Sequence, residues 1–220
     1  MESCGMSIWD NPFDDFAEEY DHWFDSEKGS FIFSQEREAL NQILGVPTGK
    51  WLEVGSGSGR FAQAFGIGHS VEPSRSMAMI ASSRGIMTCQ AMGEHLPFKD
   101  TSFNGLLMVY TLCFLHDPLR VLRECSRVLK RRGRLIIGFV PSNSAWGLYH
   151  SARGKKGHVI YRHARFYQRD EIKAMAEEAG FLFRKEQSSI LPPPEGMNEL
   201  GKESLDEGFV TLLFENTLRR

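Results

Sequence analysis

Apolar and polar positions follow two periods along this chain, and the switches between them mark strands alternating with helices. Trp51, Leu52 and Val54 form a short apolar run of the kind buried in a parallel sheet, and a helix is predicted from Arg60 to Phe65. Ile67 to Val71 reads as a second strand, and the long apolar run Leu106 to Leu115 as a central one. From Leu119 to Arg134 apolar residues recur at helical spacing, with Gly133 as the expected cap, and Leu135 to Val140 reads as the next strand. Asp170 to Ala179 is predicted as a helix with a capping acid at its start and Gly180 at its end. Phe181 to Leu191 and Gly208 to Glu215 read as two last strands joined by a Pro-rich, acidic loop. Strands alternating with helices place the chain in the α/β class.

Residues 51–60 carry the candidate chemistry, W-L-E-V-G-S-G-S-G-R. Glu53 stands inside the apolar strand, where a carboxylate is costly unless paired or hydrogen-bonded, so a ligand partner is expected for it. Gly55, Gly57 and Gly59 let the backbone turn sharply and lie against that ligand. A dinucleotide fingerprint, G-x-G-x-x-G, wants a small residue at its last position, and Arg60 stands there instead, which disfavours a nicotinamide-dependent oxidoreductase.

G-x-G-x-G with an acid two residues ahead of the first glycine resembles the class I S-adenosylmethionine-dependent methyltransferases. Further segments resemble that family in the expected order. Glu72 ends the second strand, 17 residues beyond Gly55. Ala91 to Phe98 reads A-M-G-E-H-L-P-F, similar to the family's G-D-A-E-x-L-P-F, with Met92 in place of the aspartate that accepts from the adenine amino group. T-L-C-F-L-H-D-P follows the central strand where relatives often read V-L-H-H-x-x-D-P, so Cys113 and Phe114 replace the paired histidines, and R-V-L-K-R-R-G resembles R-V-L-K-P-G-G.

The resemblance implies a Rossmann-like, doubly wound seven-stranded sheet, mostly parallel with the last strand antiparallel, under an N-terminal helical lid. It divides a single domain into a lid (1–48), a cofactor-binding core (49–140), a substrate-recognition insertion (141–168) and a C-terminal helix and strand pair (169–220). It also implies S-adenosylmethionine as cofactor and S-adenosylhomocysteine as product. Glu53 would meet the cofactor's ammonium, and Gly55, Ser56, Gly57 and Gly59 would cradle it. Glu72 and Pro73 would hold the ribose, while Met92, Gly93 and Glu94 would pack on and read the purine, with Tyr110 and Thr111 beside them. The activity implied is in-line methyl transfer to a small molecule, in the group similar to quinone-biosynthesis methyltransferases. His116 is the candidate base, with capping of the following helix as its alternative role, and Tyr20 or Trp23 is expected near the transferred methyl.

Charge and composition refine this picture. Residues 1–27 hold nine acids and no Lys or Arg, whereas residues 147–169 hold six Lys or Arg, three His and no acid, so the two segments are expected to pair. Phe13, Phe16, Tyr20, Trp23 and Phe24 put an aromatic stripe on one face of a helix, expected to pack a lid onto the domain. Arg153, Lys155, Lys156, Arg162 and Arg165 are candidates to receive a carboxylate or phosphate on an anionic acceptor, and Tyr149, His150, Tyr161, His163 and Tyr167 add stacking or acid/base groups. With 220 residues, 41% of them hydrophobic, one full core is expected. A net charge of -2 and a pI near 6.4 argue against a nucleic-acid binder. No run reaches membrane length and the N-terminus is acidic, so a cytoplasmic monomer or homodimer without a membrane span is expected. Cysteines at 4, 89, 113 and 125 form no C-x-x-C and the seven histidines no H-E-x-x-H, so neither disulfides nor a metal site is expected. Two other readings remain at this point: a non-catalytic S-adenosylmethionine-binding partner subunit, and a methyltransferase acting on RNA or protein.

Overall fold

The computed structural model describes residues 11–192, 194 and 207–218. Three helices come first: Pro12–Asp15 (α1), Ala17–Trp23 (α2) and Glu27–Leu44 (α3). Strands Trp51–Val54 (β1), His69–Val71 (β2), Met87–Cys89 (β3), Phe103–Val109 (β4) and Leu129–Phe139 (β5) then alternate with helices Arg60–Ala64 (α4), Arg75–Ser83 (α5) and Pro118–Val128 (α6). Helices Ala145–Lys155 (α7) and Arg169–Glu178 (α8) precede Phe181–Ile190 (β6) and Glu207–Asn216 (β7). All seven strands join one sheet in the order β3-β2-β1-β4-β5-β7-β6. The first five are parallel, and β7 runs antiparallel to both its neighbours. This is the mostly parallel Rossmann-like sheet expected, with its last strand reversed.

The two-residue period divides the core between the faces. Leu106 and Met108 of β4 and Leu135 and Ile137 of β5 pack with α6 and α8, while Leu107, Val109 and Ile136 pack with α3, α4 and Phe209. Helices on both faces explain why the central strands read as near-continuous apolar runs.

Four boundaries differ from the sequence expectation. First, β4 stops at Val109 instead of running to Leu115, because Tyr110 takes a left-handed φ of 58° and Leu112–Phe114 closes a tight 3-10 turn. Second, α6 ends at Val128, and Gly133 lies inside β5, where the pairing with β4 jumps from Phe103↔Leu129 to Gly105↔Arg134. The side chain of Asn216 donates to the carbonyls of Ser126 (2.9 Å) and Leu129 (3.2 Å), so a distant strand closes this helix in place of the glycine. Third, α8 begins after Gln168, whose backbone N–H donates to Glu171 at 2.7 Å, so the acid acts from the first turn and not from the cap. Fourth, the aromatic N-terminal segment breaks at Phe16 into α1 and α2 in place of a single helix. Strand β3, three residues long, carries no pattern that would have announced it. Cys4 and most of the Pro-rich acidic loop lie outside the described residues.

Candidate active site

The carboxyl ends of β1, β2 and β4 converge on the glycine loop, and three interactions fix its shape. The Gly55 N–H donates to the Val71 carbonyl at 2.8 Å, carrying the β1–β2 ladder into the turn. The Thr111 hydroxyl donates to the carbonyls of Val54 (3.0 Å) and Gly55 (3.1 Å) and lies so close that a Cβ on Gly55 would stand 2.3 Å from its methyl carbon. Gly57 turns its N–H onto Glu72 Oε2 at 2.8 Å, while Glu72 Oε1 accepts from Ser74 N at 2.9 Å. Glu72 is 5% exposed, and burial, opposed by those two donors, pushes its pKa up to about 7. Glu53 is more deeply buried. Its Oε2 accepts from Ala62 N at 2.8 Å in the first turn of α4, and burial raises its pKa well above the carboxylate range.

The N-terminal helices close over this loop through ionic contacts. Asp14 Oδ1 accepts from the Ser74 hydroxyl (2.6 Å) and Ser76 N (3.1 Å), docking α1 on the start of α5. Asp21 of α2 bridges Arg60 (2.8 Å) and Arg84 (2.7 Å), and Asp25 adds a second bond to Arg60 at 2.7 Å. Arg60, the residue that breaks the dinucleotide pattern, is therefore the anchor of the lid. Asp21 and Asp25 thus pair with the glycine-loop half of the molecule, not with the basic segment 147–169 as charge alone suggested.

Beneath the lid lies a cavity of about 1190 Å³. Of the candidate site residues, Tyr20, Gly55, Glu72, Pro73, Met92, Gly93, Glu94, Tyr110, Thr111 and His116 all line it. Glu53, Ser56 and Gly57 line a small adjoining space of about 30 Å³ that also touches Tyr20 and Tyr110. Gly59 lines neither; its φ of 81° starts α4, and a Cβ there would meet Ile86 at 2.6 Å, so its role is helix packing. The aromatic stripe does more than pack, since Phe13, Phe16, Tyr20, Trp23 and Phe24 all face the cavity. Of the five basic candidates only Arg153 lines it, with its guanidinium over the rings of Tyr149 and Tyr161. His116 is exposed at the edge of the cavity, and Asp117, not His116, caps α6 by accepting from Arg120 N at 3.0 Å. His150 lies beside Tyr161, and burial, helped by the charge of Arg153, holds its pKa down to about 4.

Several lining groups are polar, buried and unsatisfied: both carboxylate oxygens of Glu94, Nδ1 of His150 and Oε2 of Glu36. Glu36 was missed by sequence reasoning. The signal was present, because Ile32, Glu36, Leu40 and Ile43 follow one helical stripe and the acid sits where an apolar residue belongs. Among the described residues no group of His, Cys, Asp or Glu is placed to hold a metal ion, and no helix is long and apolar enough to cross a membrane.

Residues 52–137 match the methyltransferase domain family. A Thermotoga maritima S-adenosylmethionine-dependent methyltransferase, described as a possible histamine N-methyltransferase, is 35% identical, and its structure matches 94% of this chain and 99% of its own with a TM-score of 0.81. This chain belongs to the S-adenosylmethionine-dependent methyltransferases. An uncharacterised protein of Methanocaldococcus jannaschii is 38% identical over 90% of this chain and 93% of its own. The demethylmenaquinone methyltransferase of T. maritima is 32% identical over 57% of this chain and 58% of its own length. The cofactor of this methyltransferase is accordingly S-adenosylmethionine. The cradle fits it: a tight glycine turn, a buried acid after β2 and unsatisfied acceptor oxygens on Glu94 in the cavity wall.

Proposed function

We propose that this enzyme methylates a small molecule enclosed between the lid, residues 11–48, and the insertion, residues 141–168. The carrying observation is the cavity of about 1190 Å³, whose lining includes Glu72 and Gly55 from the glycine-loop side and Arg153 and Tyr161 from the insertion. A single ligand pocket spans roughly 300–1,000 Å³, so this one has room for a nucleoside cofactor and a second small molecule.

Bound S-adenosylmethionine supplies a methyl on a positively charged sulfur that leaves as a neutral thioether. The protein's contribution is then alignment and exclusion of water. In this reading Glu72 and Pro73 hold the ribose, Met92 packs on the purine while Gly93 and Glu94 read its edge, and the loop Gly55, Ser56 and Gly57 lies under the methionine part. Glu53 reaches the ammonium through the small adjoining space, and Tyr110 and Thr111 form the wall between cofactor and acceptor. Tyr20 closes the roof; burial raises its phenol well above the ordinary range, so it stays neutral and serves as a wall and hydrogen-bond donor. In this reading His116, exposed and lining the cavity, hands a proton from the acceptor to solvent. An anionic acceptor would have to be met by Arg153.

Calorimetric titration with S-adenosylhomocysteine, joined to release of labelled methyl onto an acceptor panel, tests this function. Glu72→Ala is expected to weaken nucleoside binding by roughly 1.5 to 3 kcal/mol, the cost of losing a charged acceptor. An unchanged dissociation constant would remove the ribose assignment. Tight binding with no turnover on any acceptor would favour the non-catalytic partner reading.

A further inference from the structure

The structure assigns Glu36 as the acceptor-binding group of this cavity, and the acceptor's chemical class as a cationic nitrogen, a protonated amine or imidazole. This rests on the reading of the cavity as a methyl-acceptor site.

Glu36 is 2% exposed on the apolar stripe of α3, among Ile32, Ala39, Leu40 and Ile43. A carboxylate in such a position destabilises the fold unless both oxygens are met. Only one is. The Tyr110 hydroxyl donates to Oε1, whereas Oε2 is buried with no hydrogen-bond partner. Because Glu36 lines the cavity, the missing partner can be supplied by the occupant. Against the ionised carboxylate an anion would set like charge, and a hydrocarbon would leave Oε2 bare. An N–H cation satisfies both its charge and its hydrogen-bonding need.

The surrounding surface suits the same guest. Tyr20, Tyr110, Trp146 and Tyr161 line the cavity with Glu36, and aromatic faces attract cations. The ring of Tyr161 already carries the guanidinium of Arg153 at 5.3 Å. Burial pushes the Glu36 pKa up to about 8, against the bond from Tyr110. With a value of about 8 the cavity alone holds Glu36 largely protonated at neutral pH, and a bound N–H cation draws it into the ionised form.

The test is calorimetry on the protein loaded with S-adenosylhomocysteine, titrated with phenethylamine, histamine, para-ethylphenol and hydrocinnamate. At least one amine is expected to bind, tenfold or more tightly than the phenol or the acid. Glu36→Gln keeps the shape and the bond from Tyr110 but removes the charge, and should weaken that amine at least tenfold while leaving S-adenosylhomocysteine within twofold. Tyr110→Phe, which frees Oε1, should weaken the amine severalfold as an independent check. Preference for hydrocinnamate or para-ethylphenol, binding of neither amine, or equal amine binding to Glu36→Gln would overturn the assignment. Loss of S-adenosylhomocysteine affinity in Glu36→Gln would overturn it too, by showing that Glu36 serves the cofactor's ammonium. Failure of the unaltered protein to bind S-adenosylhomocysteine at all would instead bring down the underlying reading of the site.

Discussion

Asp21→Asn tests whether the lid is latched by charge. Burial acts to raise the Asp21 pKa, but hydrogen bonds from Arg60 and Arg84 overcome it and lower the value from 3.8 to about 2. That fall of roughly two units corresponds to about 2.5 kcal/mol at about 1.4 kcal/mol per unit. Solvent screening at this surface-facing site reduces it to about 1 kcal/mol, and Arg60 keeps Asp25 as a partner in the variant. The sign follows from the direction of the shift. A carboxyl that titrates lower in the folded state contributes fully above its unfolded value near 4, and that contribution disappears as pH falls toward 2. Urea denaturation should therefore show the variant about 1 kcal/mol less stable at pH 7, with the difference closing between about pH 4 and pH 2. If the latch opens locally, amide exchange over residues 17–23 should speed up by about fivefold at neutral pH, the factor that 1 kcal/mol implies. A stability difference independent of pH, or unchanged exchange in α2, would refute the ionic latch.

Two further substitutions probe the cradle and the insertion. Gly55→Ala should cost about 2 to 4 kcal/mol in urea, combining the left-handed penalty at φ 69° with overlap against Thr111. Gly66→Ala, at φ 66° but with nothing within 4 Å, should cost only the roughly 1 to 2 kcal/mol backbone term, and equal losses at both sites would contradict the packing argument. Lys155→Ala with Lys156→Ala should leave the acceptor KM within about twofold, because both are exposed and neither lines the cavity. A large rise from the lysine pair would mean that α7 rearranges around the acceptor.

What the sequence determined by itself is local. The apolar run of β1, the alternating glycines and the acid after β2 each impose a backbone shape or a buried charge on a few adjacent residues, and those were legible along with the sheet type. Tertiary structure decided whatever depends on partners distant in the chain. Arg60 reads as a broken fingerprint until Asp21, 39 residues away, explains it as the lid's anchor. Helix α6 looks four or five residues longer until Asn216, 90 residues from Ser126, takes its terminal carbonyls. Glu36 meets Tyr110 across 74 residues, and only the folded cavity reveals that its other oxygen is left unsatisfied. Periodicity reports which face of an element is buried. Which charge meets which, and which is left for a ligand, is set by how separate elements pack, and no local pattern encodes that.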